Sequence, residues 1–288
     1  MKIRFWLLDI TYDVRDGAPE VLMWGISDKG ERIVVVDRSF RPYFYALPEG
    51  DAEALADELR RRLAGKVLGL EVVERKYFGR PVKVVKITCR VPSEVPGLRE
   101  RVAGIKGVKE VLEADIRFYM RYMIDNGVYP CSWHEVEVEE LSKPAGWRAD
   151  GVYLARAPPR LLPELTRVPE LRVLAFDIEC YNALGAPKAE RDPIILISVA
   201  TGDSCTVMVA EDKRDGRLIR RFEEFVLETD PDVIVGYNSN GFDWPYMLTR
   251  AKLNGVGLRV SRAGGQPSQS VYGHFSVIGR ANVDLYDY

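Results

Sequence analysis

In 288 residues the sequence has only 4 cysteines and 2 histidines. The cysteines, Cys89, Cys131, Cys180 and Cys205, are widely spaced and form no C-x-x-C pair. Zinc sites need clustered Cys and His, and disulfide frameworks need closely spaced cysteines in short secreted chains. Neither is expected, and a reducing intracellular (cytoplasmic) compartment is the expected setting. Long apolar runs are missing as well. The opening MKIRFWLLDITYD begins basic, but its apolar run breaks at Asp9, too soon for a signal-peptide core or a membrane span. Net charge is nearly absent, with 41 Lys plus Arg against 43 Asp plus Glu, so the global balance names no partner. No internal repeat or low-complexity tract is seen.

What the chain does have is length and local pattern. At about 150 residues per domain it is long enough for two domains. With 47% hydrophobic residues it can build cores without staples. Charge is uneven along the chain: between Glu58 and Lys109 there are 14 Lys or Arg against 5 Glu, with Tyr77 and Phe78 interleaved. Such a run is either the solvated faces of helices and edge strands or a surface that meets phosphates.

The first part reads as an α+β unit. IRFWLLDITYD, VLMWGIS and RIVVVD are strands joined by the polar turns RDGAPE and DKGE. DAEALADELRRRLAG starts acidic and ends on three arginines and Gly65, the charge order a helix dipole favours. VLGLEVVERKYFG and PVKVVKITCRV follow as paired strands about Gly79-Arg80-Pro81, VPGLRERVAGIKG as a second helix and VKEVLEADI as a strand. The segment from Tyr119 to Pro130 leads out. Residues 131–170, rich in proline and short strand-like pieces, read as a connector with one hairpin. From Leu171 three strands, a helix with Leu218, Phe222, Phe225 and Val226 on one face, a short apolar strand and a further helix predict a mixed sheet with flanking helices. The expected division is 1–130, 131–170 and 171–288.

One strand raises a chemical question. In VLAFDIEC, Val173 to Cys180, side chains at i and i+2 share a face, so Asp177 and Glu179 point together while Phe176 and Ile178 point the other way. Two carboxylates held close repel unless a cation sits between them, and hard oxygen ligands suit Mg2+ or Mn2+. A solvated edge strand would show the same D-x-E. The second strand end, VIVGYNSNGFDWPY, again delivers polar residues and an acid, Asp243, at a tip where ligand sites of α/β sheets collect. Asp243 also reads as the N-cap of the helix it precedes, and the two roles are compatible.

FDIE at 176–179, followed downstream by YNSNGFD at 237–243, resembles the first and second proofreading-exonuclease motifs of family-B DNA polymerases, D-x-E and Y-N-x-x-x-F-D. The resemblance extends over nearly the whole chain. FRPYFYAL at 40–47, VPGLRERV at 95–102, EADIRFYMRYMID at 113–125 and GRANVDLYDY at 279–288 are similar to the archaeal replicative enzymes of that family.

The resemblance implies a ribonuclease-H-like exonuclease fold of 3′–5′ polarity, with two divalent metals, Mg2+ or Mn2+. Asp177 would bridge both metals, Glu179 would ligate the one holding the attacking water, and Asp243 would help hold the other. Asn238 and Phe242 match positions that touch the terminal nucleotide, although core packing serves Phe242 equally well. The N-terminal part would read template bases and hold uracil in a pocket matched by Tyr12, Pro42, Tyr43, Val95, Ile116, Phe118 and Arg121, with a cation at the backbone phosphate. The implied partners are single-stranded template and primer-template DNA, the palm, fingers and thumb, and a sliding clamp engaged through regions not in this chain. The third motif, Y-x-x-x-D, does not follow the second one before Tyr288, and Asp284 reads as structural. The chain is therefore expected to be an N-terminal fragment that does not polymerise and is at most weakly nucleolytic. Two other readings are a free-standing repair exonuclease, which needs the third motif, and a binding module with a vestigial metal site.

Overall fold

The computed structural model describes residues 1–183, 185–202, 204–211, 214–270 and 272–287, so Tyr288 of the terminal segment lies outside the described residues. The meander expected at the start is present as β1 (Lys2–Arg15), β2 (Ala18–Ser27) and β3 (Arg32–Asp37). β2 is buried on both sides because its alternate residues feed different cores. Val21 and Met23 pack with Phe5 and Tyr122, whereas Leu22 and Trp24 pack with Val34 and Trp147.

Next come β4 (Tyr43–Pro48), α1 (Ala52–Arg62), β5 (Gly69–Tyr77), β6 (Arg80–Thr88), α2 (Val95–Ala103) and β7 (Val108–Leu112). They form a four-stranded sheet in the order β5-β6-β4-β7. α1 begins at an Asp51 cap whose carboxylate accepts the Ala54 N–H at 2.9 Å. Its buried residues, Leu55, Ala56 and Leu59, meet Leu98 and Val102 of α2 over Phe44, Val85 and Ile87 of the sheet. The β5–β6 turn falls at Phe78-Gly79, one residue earlier than the sequence suggested, and Pro81 lies inside β6 opposite Lys76. A proline is tolerated there because β6 does not pair with β4 until Val85.

Residues after Tyr119 do not simply lead out. They form α3 (Phe118–Asn126), which ends at Gly127 in the left-handed conformation with φ 62°. Phe118 and Tyr122, one turn apart, are buried in the first core, and the Tyr122 hydroxyl donates to Asp37 at 2.7 Å. Beyond it, the 131–170 segment holds β8 (Trp133–Leu141), β9 (Gly151–Ala155) and β10 (Arg160–Leu161). β8 and β9 are antiparallel partners. They also join the first sheet, since β9 runs parallel to β3 and β8 pairs with β1, closing those strands into a ring.

The second half contains β11 (Val173–Cys180), β12 (Ile194–Thr201), β13 (Ser204–Val209), α4 (Gly216–Thr229), β14 (Val233–Gly236), α5 (Asp243–Leu253), the short hairpin β15 (Ser268–Gln269) and β16 (Phe275–Ser276), and β17 (Ala281–Asp284). The sheet order is β13-β12-β11-β14-β17, antiparallel up to β11 and parallel beyond it. This is the mixed, ribonuclease-H-like arrangement. α4 buries Leu218, Ile219, Phe222 and Val226 in one core with Phe176, Ile197 and Trp244.

A buried ionic network ties the two halves together. Asp232, with a fully buried side chain, accepts from Arg32 of β3 at 2.6 Å and from Arg262 at 2.8 Å. Arg262 and Arg280 both reach Asp230, at 3.0 and 2.8 Å. Burial, with the charge of Arg262 adding to it, lowers the Arg280 guanidinium to about 10. Next to it, the Gly279 N–H donates to Asp9 of β1 at 2.8 Å.

Candidate functional site

β11 is the central strand of the second sheet, flanked by β12 and β14. Phe176 and Ile178 turn into the core while Asp177 and Glu179 are exposed on the other face. The strand period therefore aims both acids away from the helix-covered interior, as the sequence implied. β14 ends at Gly236, where a side chain is sterically barred because a Cβ would lie 2.6 Å from the Ser239 Cβ. The chain then turns through Tyr237 to Phe242 and enters α5.

Asp284 shapes that loop. Its buried carboxylate accepts the backbone N–H groups of Asn238 and Asn240, both at 2.7 Å, and of Tyr286 at 3.0 Å. The structural role expected for Asp284 is borne out by these bonds. Asn238 is exposed and takes the left-handed conformation with φ 57°. Phe242 is partly buried against the core, with its ring 5.2 Å from that of Tyr246. Two exposed tyrosines, Tyr237 and Tyr286, stack edge to face at 5.6 Å beside the loop. No sequence argument singled out Tyr286, because its pairing with Tyr237 depends on a register set by β17.

Asp243 is not the N-cap. Phe242 holds that position, and Asp243 is the first residue of α5. Its carboxylate is 2% exposed and accepts the Ile178 N–H of β11 at 3.1 Å. It thus reaches across to the strand between the two exposed acids. Burial, and after it the negative charge of Asp177, pushes the Asp243 carboxyl up to about 7, with a smaller contribution from Asp284. A cation among these oxygens would relieve that repulsion, and an all-carboxylate donor set suits Mg2+ or Mn2+. Among the described residues no three Asp, Glu, His or Cys side chains converge on one point as a formed metal cage. The structure brings Asp177 and Asp243 into electrostatic contact, and Glu179 shares a strand face with Asp177.

The other predicted site residues meet elsewhere. Tyr12, Pro42, Tyr43, Val95, Ile116, Phe118 and Arg121 all line one cavity of about 330 Å³. They come from four separate stretches of chain. Tyr12 and Phe118 meet edge to face at 5.3 Å, and Phe40 packs behind Phe118 at 5.5 Å. Tyr43 donates its hydroxyl to Asp125 at 2.6 Å. Burial and that carboxylate hold its phenol above the ordinary range. Arg121 is turned into the wall. Its side chain is 8% exposed, paired with Glu113 and with Asp125, and its guanidinium lies 4.9 Å from the Tyr43 ring centroid. The more accessible cation on the lining is Arg117, which sequence reasoning passed over. It donates to the Tyr119 hydroxyl at 3.1 Å and lies 5.2 Å from the exposed Tyr272 ring of the β15–β16 hairpin.

A larger cavity of about 600 Å³ lies among Arg4, Arg32, Trp133, Arg167 and Arg172. Its arginines are mostly committed, Arg4 to Glu135 at 3.1 Å, Arg32 to Asp232 at 2.6 Å and Arg172 to Asp230 at 3.5 Å.

Residues 109–288 match the family model described as DNA polymerase family B, exonuclease domain. The chain is 43% identical over 296 residues to DNA polymerase 2 of Aeropyrum pernix, covering 99% of this chain and 37% of that protein. It is 36% identical over 284 residues to DNA polymerase 3 of Saccharolobus shibatae, covering 98% of this chain and 36% of that one. Its fold is similar to a solved structure of the family B DNA polymerase from the hyperthermophilic archaeon Pyrobaculum calidifontis, with a TM-score of 0.90 and 52% identity. That match covers 99% of this chain and 37% of the other. The chain therefore spans a little over a third of the length of the relatives it matches. Among the described residues no helix is long and apolar enough to cross a membrane.

Proposed function

The chain belongs to the family-B DNA polymerases, exonuclease domain included, and on that premise we propose that it carries the template-reading and 3′–5′ exonuclease parts of such an enzyme. Residues 1–130 act as the reader, 131–170 connect, and 171–288 act on the 3′ end. Its partners are single-stranded template and primer-template DNA, together with the polymerase domains that make up the rest of the relatives' length.

For the exonuclease part, the carrying observation is that Asp243, at the start of α5, meets β11 between Asp177 and Glu179, its carboxylate accepting the Ile178 N–H at 3.1 Å. Asp177, Glu179 and Asp243 would hold Mg2+ or Mn2+. Bound there, the metals would supply a clamp on the attacking and leaving oxygens of an in-line displacement at phosphorus. Asn238 and Phe242, on the loop that Asp284 fixes, would position the terminal nucleotide. Because the third motif that the resemblance implies is not among these residues, the chain alone should cut slowly. Titrating Mn2+ calorimetrically into wild type and Asp177→Ala tests the site. Binding that does not depend on Asp177 would leave a binding module with a vestigial centre, and degradation of a 3′-recessed DNA at the rate of a full-length relative would contradict the slow cutting.

For the reader, support comes from the convergence of seven residues on one cavity, whose volume is near the small end of ligand pockets. A slot walled by Tyr12, Pro42, Ile116 and Phe118 suits a flipped pyrimidine held on its edge by backbone groups. A close apolar wall excludes the thymine methyl, and the reversed donors and acceptors of cytosine reject that base. Anisotropy with single-stranded oligonucleotides differing in one central base is the test. Equal affinity for uracil and thymine would remove this assignment without touching the first.

A further inference from the structure

Neither site uses a Lys or Arg of the basic run between Glu58 and Lys109. Its structural centre is the β5–β6 hairpin, closed by Phe78 and Gly79 next to the Tyr77–Arg80 pair. Both turn residues have positive φ, 48° and 79°. Two-residue turns of this hand favour Asn, Asp or Gly in the first position, because a bulky side chain is disfavoured at positive φ. The β1–β2 turn of the same protein follows that rule, with Asp16 at 51° and Gly17 at 74°. At the β5–β6 tip a phenylalanine stands where asparagine would serve the fold better.

The ring is not recruited by packing, since Phe78 is 89% exposed. Among the described residues its one aromatic neighbour is Tyr77, edge-on at 4.7 Å, and the Tyr77 hydroxyl donates to Glu110 at 2.8 Å. The ring is thus braced on one side and open on the other. Lys76, Arg80 and Lys83 are exposed around it. Lys83 sits opposite Glu74, while Lys76 sits opposite Pro81 and Arg80 opposite Tyr77, so the two cations nearest the tip face no acid across the ladder. A residue held against its backbone preference, bare to solvent and ringed by positive charge, signals a ligand with flat faces and negative charge.

We propose that the Phe78 tip is a contact for single-stranded DNA, in which the ring stacks on an unpaired base while Lys76 and Arg80 engage the flanking phosphates. An unpaired strand is favoured over duplex because a ring on a convex tip can meet a base face only where that face is not already stacked within a helix. The contact is separate from the base-reading cavity and does not depend on it.

The test uses the full chain and fluorescence anisotropy with a labelled oligothymidylate, an abasic strand of equal length and a blunt duplex. Phe78→Asn should weaken oligothymidylate binding by roughly 5- to 30-fold. It should leave binding of the abasic strand and the duplex unchanged, and Tm unchanged or up to about 2 °C higher. Phe78→Trp should bind as wild type. Replacing Lys76 and Arg80 together by Gln should reduce the salt dependence of binding by roughly one to two in slope. Wild-type affinity in Phe78→Asn overturns the proposal, as does an equal loss on the abasic strand or the duplex, or a loss accompanied by a fall in Tm.

Discussion

Replacing Asp232 by asparagine removes one charge from the network between β3 and the second sheet while keeping the shape of the side chain. The carboxylate is fully buried, and it accepts from Arg32 at 2.6 and 3.2 Å, from Arg262 at 2.8 Å and from the Arg172 N–H at 2.9 Å. The substitution leaves Arg32, 10% exposed, and Arg262, 1% exposed, facing a neutral amide. Breaking a buried pair from one side costs about 3–5 kcal/mol, a large part of the roughly 5–15 kcal/mol that holds a protein folded. With an unfolding entropy of about 2.1 cal/mol/K per residue, 288 residues give ~0.6 kcal/mol/K, so Tm should fall by about 5–8 °C. Glu139→Gln, which breaks a pair with Arg156 whose side chains are 56% and 60% exposed, should move Tm by less than about 2 °C. Burial raises the Asp232 carboxyl, but the bonds from Arg32, the Arg172 N–H and Arg262 outweigh it and hold it below its ordinary value. A depressed carboxylate lends stability above its unfolded pKa and loses it as pH falls through the folded value, so the penalty of Asp232→Asn should shrink in acid below about pH 4. Differential scanning calorimetry at neutral and acid pH measures both effects. A Tm shift no larger than that of Glu139→Gln, or two separate transitions of which only one moves, would refute the reasoning.

Two further outcomes follow from the seam between the halves. Burial pushes the Asp9 carboxyl up to about 6. A raised carboxyl contributes stability at low pH and loses it as pH rises through the folded value, by up to about 3 kcal/mol between pH 4 and 6. Asp9→Asn should flatten that part of the urea-midpoint profile and stabilise the protein at pH 8; an unchanged slope would count against it. Gly279→Ala should cost more than about 2 kcal/mol, because φ is 81° and the new Cβ would lie 2.7 Å from Arg262 Cβ and 2.9 Å from Trp24. A thermal midpoint within about 1 °C of wild type would show that the contact relaxes freely.

Much of the architecture was legible because it is local. The Asp16-Gly17 turn, the acidic start and terminal arginines of α1, the alternation of β11 and the apolar stripe of α4 each announce themselves within a dozen residues. α3 did not, because it starts at Arg117 without a side-chain cap. Nor could the pattern show that β8 closes onto β1, a pairing of Lys2 with Glu137. Arg32, Arg262 and Arg280 drew no notice in the sequence, because the acids that pair with them in the interior, Asp230 and Asp232, lie far away along the chain. Asp177 and Glu179 were found from strand period alone. The cavity was found only through family resemblance, since its lining comes from four stretches that share no periodicity. Arg117 was passed over because its exposure and its reach to Tyr272 emerge only when the second half folds against the first.

The locked seam has a metrical consequence. Were the reader and the acids on tethered bodies, the distance between them would fluctuate with the linker. With Arg32, Asp232 and Arg262 buried across the join and Gly279 bonded to Asp9, that distance is a constant of the fold. For a DNA held at both places, a constant length is a constant number of nucleotides. On the proposed function, such a seam would make the molecule a ruler between the base-reading cavity and the acids of β11 and α5.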